Sequence, residues 1–169
     1  GNCVVCPYVD EIKTCSSLNS SFSVKVNKPV SCCTENVIYL ISCTKCSEQY
    51  VGQTGREFKK RMQEHLGYIN NFKFTEPTGK HFNLPNHDIS MFKCSIIEKC
   101  TMNSKVYREN REENFIKLFQ TKFKGMNRKM WLFVPLSLFY FLTLAFANTF
   151  ANCNEKKNFF SCLEIHLFT

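Results

Sequence analysis

The sequence predicts an α+β fold, a small three-stranded antiparallel sheet with flanking helices preceded by a cysteine-rich zinc-binding module. Three observations carry that reading. Apolar patterning after residue 36 runs strand, strand, helix, strand, helix; the first two strands are joined by a CxxC turn; and residues 1–36 are rich in Cys, Ser and Asn with too few large apolar side chains to bury a core unaided. The expected organisation is a zinc-binding lead-in over 1–36, a sheet domain over 37–129 and a hydrophobic tail over 130–169. The chain begins at Gly1 rather than methionine and so reads as a fragment.

VIYLI and QYVG, on either side of CTKCSE, form a predicted hairpin that carries Tyr39 and Tyr50 on adjacent strands. Thr54 and Glu57 have capping-box spacing, which predicts a helix from Arg56. In that helix Phe58, Met62, Leu66 and Ile69 make one apolar stripe, flanked by Arg61 and His65. TEPTGKHFNLPNHD, residues 75–88, reads as a polar loop whose His81 and His87 suit either a metal or DNA contact, or simple capping and packing. A third strand is expected around Phe92 to Glu98. A second helix is expected from about Ser104 to Gln120, with Glu112, Phe115, Ile116 and Phe119 on one face.

All of the +8 formal charge lies in residues 1–129, because the tail holds two acidic and two basic residues. A basic excess favours a polyanionic partner without specifying nucleic acid. Residues 130–154 carry no charge, and their apolar centre, residues 131–151, is long enough for a transmembrane segment; the flanking lysines favour a cytoplasmic N-terminal domain. The alternative is a non-native extension.

Eleven cysteines, an odd number, with no signal-peptide pattern and two CxxC pairs, favour metal-binding thiolates in a reducing compartment over disulfides. Cys43 and Cys46 are expected to share one structural Zn²⁺ with Cys3 and Cys6, stapling the lead-in to the hairpin. Cys32, Cys33 or Cys15 are possible replacements in that set, and Cys94, Cys100, Cys153 and Cys162 read as ordinary thiols. The residue types for phosphodiester hydrolysis are also present: Tyr39, Tyr50 and His65 for proton handling, Arg61 for phosphate charge and Glu112 for a divalent ion. Spacing alone does not bring them together, since tyrosine pairs pack and Arg/Glu pairs form salt bridges on many folds.

The string VIYLISCTKCSEQYVGQTGREFKKRMQEH resembles the opening of a GIY-YIG nuclease domain, with VIY ending at Tyr39 as the first motif and YVG ending at Gly52 as the second. REENFIKLFQT resembles the helix carrying that family's metal-binding glutamate, at Glu112, and GMN its closing asparagine motif, at Asn127. The lead-in, the CxxC, KHF around His81 and GMN together look like the endonuclease domain of Penelope-like retroelements over residues 3–127. The resemblance implies metal-dependent DNA cleavage. Tyr50 would act as base or water-positioning group, supported by Tyr39; Arg61 would hold the phosphate, with His65 assisting, Glu112 binding Mg²⁺ or Mn²⁺, and Asn127 bracing the site. It also implies a nuclear or cytoplasmic location and leaves the oligomeric state unknown. Ile38 replaces the glycine of the first motif, and Lys124 stands where related domains tend to have proline. The competing readings are a silent zinc-containing DNA-binding module and a membrane-anchored zinc module. Lys59, Lys60, Lys73 and Lys80 could meet phosphates.

Overall fold

The computed structural model describes residues 3–10, 14–26 and 29–127. The expected transmembrane segment lies outside these; among the described residues no helix is long and apolar enough to cross a membrane. The elements in chain order are β1 Thr14–Ser16, β2 Ser23–Lys25, β3 Val37–Cys43, β4 Gln49–Thr54, α1 Phe58–Asn70, α2 Pro77–His81, β5 Phe92–Lys99, α3 Lys105–Phe119 and α4 Thr121–Lys124. One antiparallel sheet has the order β4-β3-β5, and β1 and β2 form a separate ribbon.

β3 is almost wholly buried because both its faces are covered. Val37, Tyr39 and Ile41 pack against the predicted stripe of α1, Phe58, Met62, Leu66 and Ile69, together with Phe82, Phe92 and Val5. Ile38 and Leu40 point the other way, into Phe115 and Phe119 of α3, with Cys15 and the partly buried Phe22 and Val24 of the ribbon completing that layer. A strand buried on both sides reads as a continuous apolar run, which is how VIYLI reads. Ile38, which stands where the first motif has glycine, therefore lies fully buried in the core beneath α3.

Several expectations change. The capping box does not form: Thr54 is the last residue of β4, and its Oγ1 accepts from the Arg56 N–H within the turn, 3.1 Å. α1 starts at Phe58 with no side-chain cap, and its first amides are closed from elsewhere in the chain: Phe58 N–H donates to Thr34 O, 2.9 Å, and Lys59 N–H to Cys32 O, 2.7 Å. The polar loop over 75–88 contains α2, in which Thr78, Gly79 and His81 are buried. Residues 1–36 are more than a loop, since Val5 and Cys15 are fully buried and β1 pairs with β2.

β4 is an edge strand, and four of its outward-facing backbone groups are engaged. Gln49 O accepts from Met126 N–H at 2.8 Å. The Asn127 side chain takes both groups of Val51, accepting from its N–H and donating to its C=O, each at 2.8 Å. The Gln53 N–H donates to the Glu112 carboxylate. Gly125 lets this C-terminal segment lie against the strand, because a Cβ there would sit 2.5 Å from Gln49 O.

Candidate active site and metal centre

Register decides which side chains meet. Tyr39 is opposite Gly52 and Ile41 opposite Tyr50, so both tyrosines lie on the α1 face, with ring centroids 6.4 Å apart. The glycine of YVG is required by contact: a Cβ on Gly52 would be 2.4 Å from the Tyr39 hydroxyl. Tyr39 can therefore lay its ring across β4 only because position 52 has no side chain.

α1 brings Arg61 and His65 onto that ring four residues apart, one turn of helix. Arg61 Nε donates to Tyr39 Oη at 3.0 Å and its NH1 group donates to Glu64 at 2.7 Å, leaving other N–H groups of the guanidinium. Tyr39 Oη is 2.8 Å from His65 Nε2, and His65 Nδ1 is 2.9 Å from Thr78 Oγ1. All groups in the chain are satisfied when Tyr39 donates to Nε2 and the Nδ1–H donates to Thr78, the tautomer we assign. Burial, then the neighbouring Arg61 charge, holds the His65 pKa down at about 3, so the ring is neutral. At 2 % exposure His65 lies behind Tyr39, where it accepts that hydroxyl's hydrogen bond and does not reach a phosphate directly.

Tyr50 is partly exposed, at the mouth of this network. Burial raises both phenols above their ordinary value, and Arg61 opposes the shift at each. Glu112 comes from α3 on the other side of β4. Burial raises its carboxyl to about 7, against the lowering effects of Arg61 and the Gln53 N–H. The site thus wraps around the β4 edge, with Arg61 as the cation common to Tyr39, Tyr50 and Glu112. Asn127 stands outside this group; it touches the Val51 backbone, next to Tyr50. Thr78 and Glu64 were not anticipated, and nothing in their sequence surroundings marks them: Thr78 lies in a stretch that reads as loop, and Glu64 as one of several surface charges.

The cysteines separate into two groups, which corrects the single-staple expectation. Cys43 and Cys46 come together with His81 and His87, all four ligand atoms within 4.8 Å of one another. Cys46 Sγ is 3.4 Å from His81 Nε2. Glu48 lies 3.6 Å from His81 Nδ1, the kind of carboxylate partner that orients a ligating imidazole. His87 Nδ1 faces Pro85 O at 3.2 Å, while its Nε2 is buried with no hydrogen-bond partner. A buried, unpartnered imidazole nitrogen beside two thiols and a second imidazole suits a tetrahedral metal ion. CxxC followed by two histidines with five residues between them is the signal the sequence offers. Cys3 and Cys6 instead gather with Cys32, and Cys15 is buried in the core as a simple thiol.

The family model of the GIY-YIG catalytic domain matches residues 35–127, more than half of the chain. No curated protein and no solved structure matches it.

Proposed function

The chain belongs to the GIY-YIG family, and from that premise we propose that residues 35–127 form a metal-dependent DNA endonuclease in which Tyr50, Arg61 and Glu112 carry the chemistry. The family assignment supports a nuclease of the GIY-YIG type and implies a DNA substrate. The single observation that supports these three residues is the shared Arg61, which hydrogen-bonds Tyr39 and acts electrostatically on both Tyr50 and Glu112.

The remaining Arg61 N–H groups bind the scissile phosphate and meet the charge that grows on its oxygens. Tyr50, nearest solvent, positions the attacking water; once its own phenolic proton has passed to solvent under the field of Arg61 and the bound ion, the phenolate accepts the water's proton as the water oxygen bonds to phosphorus and the ester oxygen departs. Tyr39 fixes the Arg61 Nε, while neutral His65 accepts the Tyr39 hydroxyl's hydrogen bond, orients it, and is itself aligned by Thr78. Glu112 fits Mg²⁺ or Mn²⁺: its ion pair is not taken by Arg61, which pairs with Glu64, and one carboxylate plus substrate oxygens is the usual Mg²⁺ ligand set. When bound, the ion supplies Lewis-acid stabilisation of the leaving oxygen.

The Cys43, Cys46, His81 and His87 group holds structural Zn²⁺ in this reading and leaves no open position for chemistry. A CxxC knuckle between the two tyrosine strands, behind a cysteine-rich lead-in, supports descent from a Penelope-like retroelement and work in the nucleus or cytoplasm. The test is nicking of supercoiled plasmid with Mg²⁺ by the wild type and by Glu112→Gln. Mg²⁺-dependent nicking that the substitution removes is expected. DNA binding with no nicking by the wild type would leave a silent DNA-binding module.

A further inference from the structure

We propose that the lead-in carries a second zinc site, made by Cys3, Cys6, Cys32 and Cys33, and that this ion fixes the loop that caps the N-terminus of α1. Cys32 Sγ is 3.7 Å from Cys3 Sγ and 3.9 Å from Cys6 Sγ. Thiolates at about 2.3 Å from one tetrahedral ion stand about 3.8 Å apart, so these sulfurs already occupy corners of such a tetrahedron. The three are close enough to share an ion; Cys33, next in the chain and in contact with Lys59, lies outside that close group and is assigned as the fourth donor. None of the described cysteines is in a disulfide.

The surroundings fit the charge. Four thiolates on a divalent ion carry a net charge of about −2. The Lys59 ammonium donates to Cys33 Sγ at 3.3 Å, and the positive end of the 13-residue α1 faces the same loop.

The same loop supplies what α1 lacks. Glu57 offers no side-chain cap, and the first helical amides are closed by Thr34 O and Cys32 O, the second belonging to a ligand residue. Holding Cys32 in the metal shell therefore holds the acceptors for Phe58 and Lys59. Arg61 lies within the same first turn, its N–H bonded to Glu57 O at 3.3 Å. Occupancy of a site with no place in the chemistry thus sets the geometry of the helix that carries Arg61. Binding forms four Zn–S bonds and releases the thiol protons to solvent, with no redox step. The link to catalysis rests on the phosphate role proposed for Arg61; the metal site and the helix cap do not.

The experiment uses the full chain, with Zn²⁺ counted per molecule and with Co²⁺ substituted as a spectroscopic probe. Wild type should hold two ions, and Cys3→Ser/Cys6→Ser one. In the double variant the Co²⁺–thiolate charge-transfer absorbance should fall to about one third, two of six thiolates remaining. The ion kept at Cys43, Cys46, His81 and His87 reports that the domain is folded. Amide exchange at Phe58 and Lys59 should rise about ten-fold in the double variant, the scale of a lost helix cap. Cys33→Ser should weaken Zn²⁺ retention at this site while leaving the other ion in place. One ion per wild-type chain, unchanged by Cys3→Ser/Cys6→Ser, overturns the site. Loss of one ion with unchanged exchange at Phe58 and Lys59 overturns the cap. Both readouts stand if the protein never nicks DNA.

Discussion

On the α1 side of β4, Tyr39, Arg61, His65 and Thr78 hydrogen-bond one another in series; on the α3 side, Glu112 meets the Gln53 N–H and keeps its remaining lone pairs. The first half is built before substrate arrives, because groups that position phosphate and protons act through geometry. The second half is left with coordination capacity, which in the proposed reaction an ion would take up. Burial acts on both with opposite results: it depresses the His65 pKa to about 3 and raises that of Glu112 to about 7. Each shift favours the neutral form. The uncharged His65 is thereby kept as a hydrogen-bond acceptor for Tyr39, whereas a cation beside Glu112 would restore its carboxylate.

Removing the ion-binding half should do the most damage. Glu112→Gln is expected to lower plasmid nicking by about 10³-fold, the effect of several kcal/mol of lost charge stabilisation, with the circular-dichroism melting curve little changed. Arg61→Ala should cost about 10²-fold to 10³-fold in rate, as for other losses of a transition-state donor. Arg61→Lys should recover little of it, since an ammonium cannot hold Tyr39 and the phosphate in one planar fork. If Arg61→Lys nicks like the wild type, the pre-built network is not what sets the rate.

Gly52→Ala attacks the α1 half without altering any polar group. Its Cβ would drive into the Tyr39 hydroxyl, and we expect about 1–3 kcal/mol of destabilisation by thermal or urea unfolding together with reduced nicking. Asn127→Ala leaves the Val51 N–H and C=O unpaired at the strand edge and should cost about 1–3 kcal/mol, measured in the same way.

In pH dependence the two halves should separate by sign. Without divalent ions, the native state binds Glu112's proton more tightly than the unfolded chain, so this group's contribution to stability is full below about 4.5 and is lost as pH rises toward about 7. His65 does the reverse: its contribution is present above 6.5 and is lost as pH falls toward about 3. Urea unfolding across pH should show Glu112→Gln flattening the first slope and His65→Gln the second. Two variants with the same pH slopes as the wild type would mean that the two burials do not differ as described.

The sheet and most helix boundaries were legible because they are local. Alternation and run length mark β3 and β4, and the Phe58, Met62, Leu66, Ile69 stripe marks α1. YVG was legible as a motif, but the reason for its glycine was not, since the Tyr39 ring approaches it from the neighbouring strand. The failures share a cause. Thr54 and Glu57 have the spacing of a cap, yet the acceptors that close α1 come from Cys32 and Thr34, more than twenty residues earlier. CTKC has the form of a knuckle, but whether it joins Cys3 and Cys6 or His81 and His87 depends on which loop the fold brings beneath it. Thr78 entered the network only because α2 buries what reads as a polar loop.

The Asn127 amide has a consequence beyond bracing. An exposed sheet edge is a template on which any extended peptide, including a second copy of the same chain, can add a strand. One planar side chain carries a donor and an acceptor spaced like a peptide group, and here it satisfies the Val51 groups that such an intruder would need. In the proposed reaction DNA approaches Tyr50 and Glu112 along an edge whose Val51 groups are already taken. The same amide that steadies the backbone beside Tyr50 leaves no free Val51 group for an added strand to pair with.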